Sequence, residues 1–149
     1  MDGKATVVYK PGTRYKAYAG IGAVAAAAFG WRLASAWMDG QGVQWDAFFF
    51  LVMMLGLMAW ALWQLPARVE TSARSVTLTR PFVAPRTVEY RQLFSVSESG
   101  RVGGRSISLV YHPLRDDGLL DLDDARSLIL PEVENQDQLL AWLEERKPV

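Results

Sequence analysis

Few residues in this chain have the types and spacing that chemistry needs. His112 is the single histidine and there is no cysteine. A paired-histidine or thiolate metal site, a thiol nucleophile, c-type haem attachment and a disulfide framework are therefore excluded. His112 stands directly before Pro113 and reads as a surface or edge residue. The acidic run Asp116, Asp117, Asp121, Asp123 and Asp124 lacks the glycine position and bidentate glutamate of a calcium loop, so it reads as a solvated charged face. Gly100-Arg-Val-Gly-Gly-Arg105 is glycine-rich and basic. No lysine-serine/threonine pair or strand–loop–helix context follows it, so it reads as a hairpin loop, with a weak anion contact as the alternative. No serine can be matched with a base. The expectation is a non-catalytic chain without metal or cofactor.

The residues left to interpret are arginines and small residues. Arg80, Arg86, Arg101 and Arg105 are candidates for contact with an anion or a lipid head group. Arg32 is the single charge inside a long apolar run, where an arginine is costly unless it snorkels or pairs. Its readings are snorkelling, pairing with Asp39 or Asp46, or contact with a partner subunit or an anionic lipid. Gly22, Ala26, Gly30 and Ala34 recur every four residues, the spacing that lets helix backbones approach closely in lipid. Ala19, Ala23 and Ala27 widen that smooth face. It suits either packing against the second helix of this chain or docking of another protein.

The elements that must carry these residues follow from an uneven charge distribution. Residues 17–66 hold three charges, Arg32, Asp39 and Asp46, whereas residues 67–149 hold eleven basic and thirteen acidic side chains. Ala17–Met38 and Ala47–Leu65 are two apolar runs, and about 20 helical residues cross the roughly 30 Å hydrocarbon core. The polar, glycine-containing link Asp39–Asp46 and the stop at Pro66 predict an antiparallel transmembrane hairpin over 17–66, with helices at 17–38 and 47–65. The first run exceeds a signal-peptide core and a second span follows it, so both are expected to be retained. Lys4, Lys10, Arg14 and Lys16 precede the pair, Arg68 and Arg74 follow it, and the link carries only acids. The positive-inside rule then places both termini in the cytoplasm. Trp37, Trp45, Trp60 and Trp63, with Tyr15 and Tyr18, lie near the helix ends, where amphipathic rings suit the interfaces.

After Pro66 the pattern turns to short strands. Ser75–Arg80 alternates, with Val76 and Leu78 on one face, and Pro81 and Pro85 bracket a turn around Phe82 and Val83. Thr87–Ser97 offers Tyr90, Leu93, Phe94 and Val96 as core candidates. Arg105–His112 points Ile107, Leu109 and Tyr111 one way, Gly118–Asp124 would turn Leu120 and Leu122 inward, and Ser127–Leu130 is the last strand. The period then becomes helical over 136–147. Asn135 is the expected N-cap, with Gln138 completing a capping box, and Leu139, Leu140, Trp142 and Leu143 form the apolar stripe. Ala5–Tyr9, in the 1–16 arm, is also strand-like and would either join this sheet or lie along the membrane.

Two spans followed by Ser75–Arg80, Tyr90-Arg-Gln-Leu-Phe-Ser-Val96, Ser106-Ile-Ser-Leu-Val-Tyr111, Leu128-Ile-Leu-Pro131 and the helix after Asn135 resemble bacterial membrane proteins with a pleckstrin-homology-like (bacterial PH) domain. The resemblance covers about residues 68–147. It implies a small mainly-β, partly open barrel with a C-terminal capping helix over 67–149, in the bacterial inner membrane and facing the cytoplasm. It brings no catalytic residues. The inositol-phosphate site of eukaryotic relatives needs a basic cluster in the first hairpin, and Arg80–Arg86 has two arginines and no lysine. The function expected is a membrane-anchored accessory, scaffold or assembly subunit that binds lipids and a protein partner or further copies of itself. The alternatives are a head-group-sensing module and a small subunit of an oligomeric transporter. Sixteen basic and sixteen acidic side chains cancel, which leaves no case for nucleic acid.

Overall fold

The computed structural model describes residues 6–101 and 104–149. The chain divides into two compact units, a helical one over Thr13–Leu65 and a β-rich one made of the residues up to Gly12 together with Pro66–Val149. The helical unit is α1 (Arg14–Met38) and α2 (Trp45–Gln64), both long and apolar enough to cross a membrane. Helix α1 starts three residues earlier than its apolar run, so Arg14 and Lys16 lie in its first turns. The link turns through Gly40 and Gly42, both at positive φ, a conformation glycine adopts without steric cost.

The β-rich unit contains β1 (Val7–Tyr9), β2 (Arg68–Thr71), β3 (Ser75–Arg80), β4 (Val83–Glu89), β5 (Leu93–Arg101), β6 (Gly104–Tyr111), β7 (Arg126–Leu130) and helix α3 (Gln136–Arg146). Two antiparallel sheets result, one ordered β1-β2-β3-β4 and the other β5-β6-β7. Alternation sends Val69, Val76, Leu78, Val88, Ile107, Leu109, Leu128 and Leu130 into one core with Leu139 and Leu143 of α3. Tyr9 belongs to the same core.

The residue 1–16 arm is therefore not separate from the 67–149 domain. Its described part up to Gly12 is built into that domain, and β1 pairs with β2 with Tyr9 opposite Val69. Beyond β1 the arm also meets the segment after β7. Gly12 N–H donates to the Glu132 carbonyl at 2.9 Å, and Glu134 N–H donates to the Lys10 carbonyl at 2.9 Å. The arm thus hydrogen-bonds on both sides, and the helices are an insertion between the first two strands. The strand-like character of Val7–Tyr9 resolves as sheet pairing, while Ala5 lies outside the described residues.

Several local expectations need correction. The 87–97 strand is broken by a 3-10 turn at Tyr90–Gln92, closed by a capping box between Glu89 and Gln92. The turn buries Tyr90 and Leu93 but leaves Phe94 67% exposed. Leu122 is likewise exposed; Gly118–Asp124 forms only an isolated bridge, Leu114 with Leu120. Asn135 precedes α3 in the left-handed region and makes no side-chain cap, so the box with Gln138 does not form. The side chain of Gln136 serves that junction instead, accepting from Val133 N–H at 3.1 Å and donating to the Arg105 carbonyl at 3.3 Å.

Candidate functional site

The small-residue face of α1 does not act as one surface. At 3.6 residues per turn, a four-residue step drifts by about 40°, so a four-step stripe winds around the helix. Gly22 is buried against α2, where a Cβ would meet Met58 Cβ at 3.0 Å and the Met54 carbonyl at 3.1 Å. Ala26 is half-buried, Gly30 has nothing within 4 Å of a Cβ position, and Ala34 is exposed. The buried positions on α1 instead recur at seven, Tyr15, Gly22 and Ala36 with half-buried Phe29 between them, and on α2 at Ala47 and Ala61 with half-buried Met54 between. This heptad spacing belongs to helices crossing at a shallow angle. Phe29 stacks on Phe50 at 5.4 Å, and Tyr15 meets Trp60 edge-on at 5.6 Å.

A second row of small residues, Gly20, Ala23, Ala27, Gly30 and Ala34, has alternating three- and four-residue steps and lies away from α2. Four of these are exposed and Gly30 is half-buried, and neither glycine has a neighbour within 4 Å of its Cβ position. The four-residue reading missed Gly20; the heptad spacing was the signal that could have found it.

Arg32 is held inside the chain. Its Nε donates to Gln44 Oε1 at 2.9 Å, and Nη2 lies 3.3 Å from Asp46 Oδ2. Its acidic partner is Asp46 and not Asp39. Both side chains remain more than half exposed, 54% and 60%, so the pair contributes about 1 kcal/mol or less in water.

Of the four candidate arginines, Arg105 is already engaged. Arg105 donates to both Glu98 oxygens, at 2.7 and 3.0 Å, and to Asp137 at 2.7 Å. Those hydrogen bonds push its pKa up and use the fork that an anion would need. It is a cross-link between the β5–β6 hairpin and α3, which removes it from the head-group candidates. Arg101 ends β5, with its side chain outside the described part. Next to it, Gly104 at φ 134 leaves room for Glu132, whose Oε2 would lie 2.6 Å from a Cβ. The Glu132 carboxylate accepts Arg105 N–H there.

Arg80 and Arg86 flank the β3–β4 hairpin in the other sheet. Its turn is Pro81-Phe82, shorter than a loop bracketed by Pro81 and Pro85. Pro85 lies inside β4, an outermost strand, where the missing N–H is tolerated. Phe82 has φ 62 and is 100% exposed. Positive φ at the second central position favours glycine or asparagine, and a bulky side chain there costs on the order of 1–2 kcal/mol. Val83, Ala84, Pro85 and Arg86 are exposed as well.

Several other polar residues pair within the β-rich unit. Arg115 pairs with Asp121 at 2.9 Å and Asp123 at 3.6 Å, which lowers the Asp121 pKa, while Arg126 pairs with Asp124 at 2.9 Å. Asp117 accepts from Leu119 N–H at 3.0 Å. No group of three or more potential metal ligands occurs among the described residues. His112 Nδ1 lies 3.1 Å from the Asp124 carbonyl, and its ring meets Phe94 edge-on. Tyr90 Oη donates to the Ser72 carbonyl at 2.8 Å and accepts from Trp142 Nε1 at 3.0 Å. Arg146 lies over the Trp142 ring at 3.4 Å. This latch joins the β2–β3 turn, the 3-10 turn and α3, and burial raises the Tyr90 pKa.

Comparison with protein families, curated proteins and solved structures returned no match to this chain.

Proposed function

We propose that this chain is a non-catalytic, membrane-anchored accessory or scaffold subunit, with α1 and α2 crossing a bacterial inner membrane and the β-rich unit in the cytoplasm. The observation that carries the reading is the outward row Gly20, Ala23, Ala27, Gly30 and Ala34, which the helical pair itself leaves uncovered. Helices in lipid gain nothing from hydrophobic association and rely on close backbone approach. A smooth row is therefore suited to a helix of a partner or of a second copy. A mainly-β unit closed by a C-terminal helix is in keeping with the PH-like reading, although the helical pair is inserted between the first two strands instead of preceding the domain.

The β1–β2 ladder supports the topology. Hydrogen-bonded strands cannot pair across a bilayer, so both ends of the helical pair lie on one side. The basic flanks Lys10, Arg14, Lys16, Arg68 and Arg74 favour the cytoplasm for that side. Single cysteines at Gln41 and Ser97 should label from opposite sides of the membrane; labelling from one side sinks the topology.

Native mass measurement of the full chain in mild detergent tests the partner. A complex or homo-oligomer is expected, lost with Gly30→Leu at matched expression. A strictly monomeric wild-type chain would overturn the reading. The head-group-sensing alternative loses Arg105 to its carboxylates and keeps Arg80 and Arg86 of the β3–β4 hairpin among its candidates.

A further inference from the structure

The β3–β4 turn presents an apolar run, Pro81-Phe-Val-Ala-Pro85, between Arg80 and Arg86, with Phe82 wholly exposed at its tip. An aromatic ring held in water at positive φ is a cost to the free chain, and such backbone outliers cluster where they serve contact with something else. The register says which way the tip points. Tyr9, the last residue of β1 before the chain runs to α1, is opposite Val69. Arg68, the first residue of β2 after the chain returns from α2, is opposite Thr79, and the tip follows directly, with Arg80 opposite Val83. The tip therefore lies at the same end of the sheet as both connections to the helices. The β2–β3 turn around Ala73 lies at the opposite end.

We infer that the β3–β4 tip is a membrane-interface anchor. Phe82 enters the head-group region of the bilayer that α1 and α2 cross, and Arg86, with Arg80 beside it, faces anionic lipid phosphates. Apolar rings flanked by cations are the side-chain combination that such an interface favours. The strand β4 suits this role because its first five residues are exposed, so no core contact is lost when the tip binds. The anchor would orient the β-rich unit on the membrane and thereby fix which of its faces is presented to a partner. The inference rests on the membrane-anchored reading.

The chain has no cysteine, so single labels can be placed cleanly. An environment-sensitive nitrobenzoxadiazole label would be attached to Val83→Cys, Ala73→Cys and, within α2, Val52→Cys. The full-length chain would be reconstituted in phosphatidylcholine vesicles with and without phosphatidylglycerol. Nitroxide lipids then report contact with the bilayer, and iodide reports contact with water. Nitroxide quenching is expected at 83 and not at 73, and it should be stronger with phosphatidylglycerol. Arg86→Gln should reduce the lipid-bound to free ratio of the tip about fivefold in anionic vesicles, the equivalent of one arginine near a charged surface. Phe82→Ser should reduce it in both lipids. Quenching at 52 but equal water exposure at 83 and 73 would overturn the anchor alone. Shielding of 83 from iodide without nitroxide quenching would assign the tip to a protein contact and also overturn it. Loss of quenching at 52 would instead sink the membrane-anchored reading.

Discussion

Tyr9 lies opposite Val69 in an antiparallel ladder, although the whole helical pair separates them in sequence. The pairing makes the strand before α1 a working part of the domain that follows α2. Tyr9 is 4% exposed and shares its core with residues from both sheets and from α3. The β-rich unit can close only after both helices have been made and their flanks brought together.

Truncation of that ring is accordingly expected to damage a domain that begins dozens of residues later. Tyr9→Ala should destabilise the β-rich unit by about 3–5 kcal/mol, as for other large buried aromatics. Hydrogen exchange of the β2 and β6 amides in the full-length chain checks this. Unchanged protection would mean that the arm is dispensable.

Gly22 and Gly30 should behave oppositely although both are small residues of α1. A Cβ at Gly22 meets Met58 at 3.0 Å, and one at Gly30 meets nothing within 4 Å. Gly22→Ala should cost the helical pair about 1–3 kcal/mol through overpacking, whereas Gly30→Ala should stabilise it by about 0.5–1 kcal/mol, the helix-propensity gain of alanine over glycine. Reversible unfolding in mixed detergent, followed by helicity, compares the two.

The Arg32–Asp46 pair predicts that assembly does not depend on the arginine. Complex recovery with Arg32→Ala should equal that of wild type, because Arg32 is engaged by Gln44 and Asp46 of its own chain. A double-mutant cycle with Asp46→Asn should give a coupling of about 0.2–1 kcal/mol, the range for exposed pairs. Lost recovery with Arg32→Ala would place the arginine between chains.

Tyr90 predicts an alkaline limit to stability. Burial raises its pKa in the folded chain above the ordinary 10.0. The folded state then holds the proton more tightly than the unfolded state. The associated stability is complete below pH 10.0 and is lost as pH rises from there through the raised value. Tyr90→Phe should be less stable at neutral pH, through loss of the Ser72 and Trp142 hydrogen bonds, and should show a shallower decline above pH 10. Denaturant midpoints across that pH range give both readings.

Helix α3 and most strands were legible because their patterns are local. Val76 with Leu78, and Ile107 with Leu109, alternate in sequence and are buried as alternation requires. Phe94 and Leu122 followed the same pattern and are exposed. Alternation ranks faces without saying which face a core will cover, and the 3-10 turn at Tyr90–Gln92 resets it. Strand β2 was hidden because Arg68-Val-Glu-Thr71 offers a single apolar side chain. Asn135 suits a cap by type, but its left-handed backbone points elsewhere.

By itself the sequence determined two helices long and apolar enough for a membrane, a strand-rich remainder and a closing amphipathic helix. Charge density, hydropathy and period are carried by neighbouring residues, and the physics that reads them is local. Tertiary structure alone decided that the helices interrupt a domain, that Gly22 faces inward while Gly30 does not, and that Arg105 belongs to Glu98 and Asp137. It also set the Phe82 tip at the end of the sheet that connects to the helices. Each of these depends on residues brought together across long loops. Their closure entropy is offset only by the complete core, so no short stretch of sequence carries the signal.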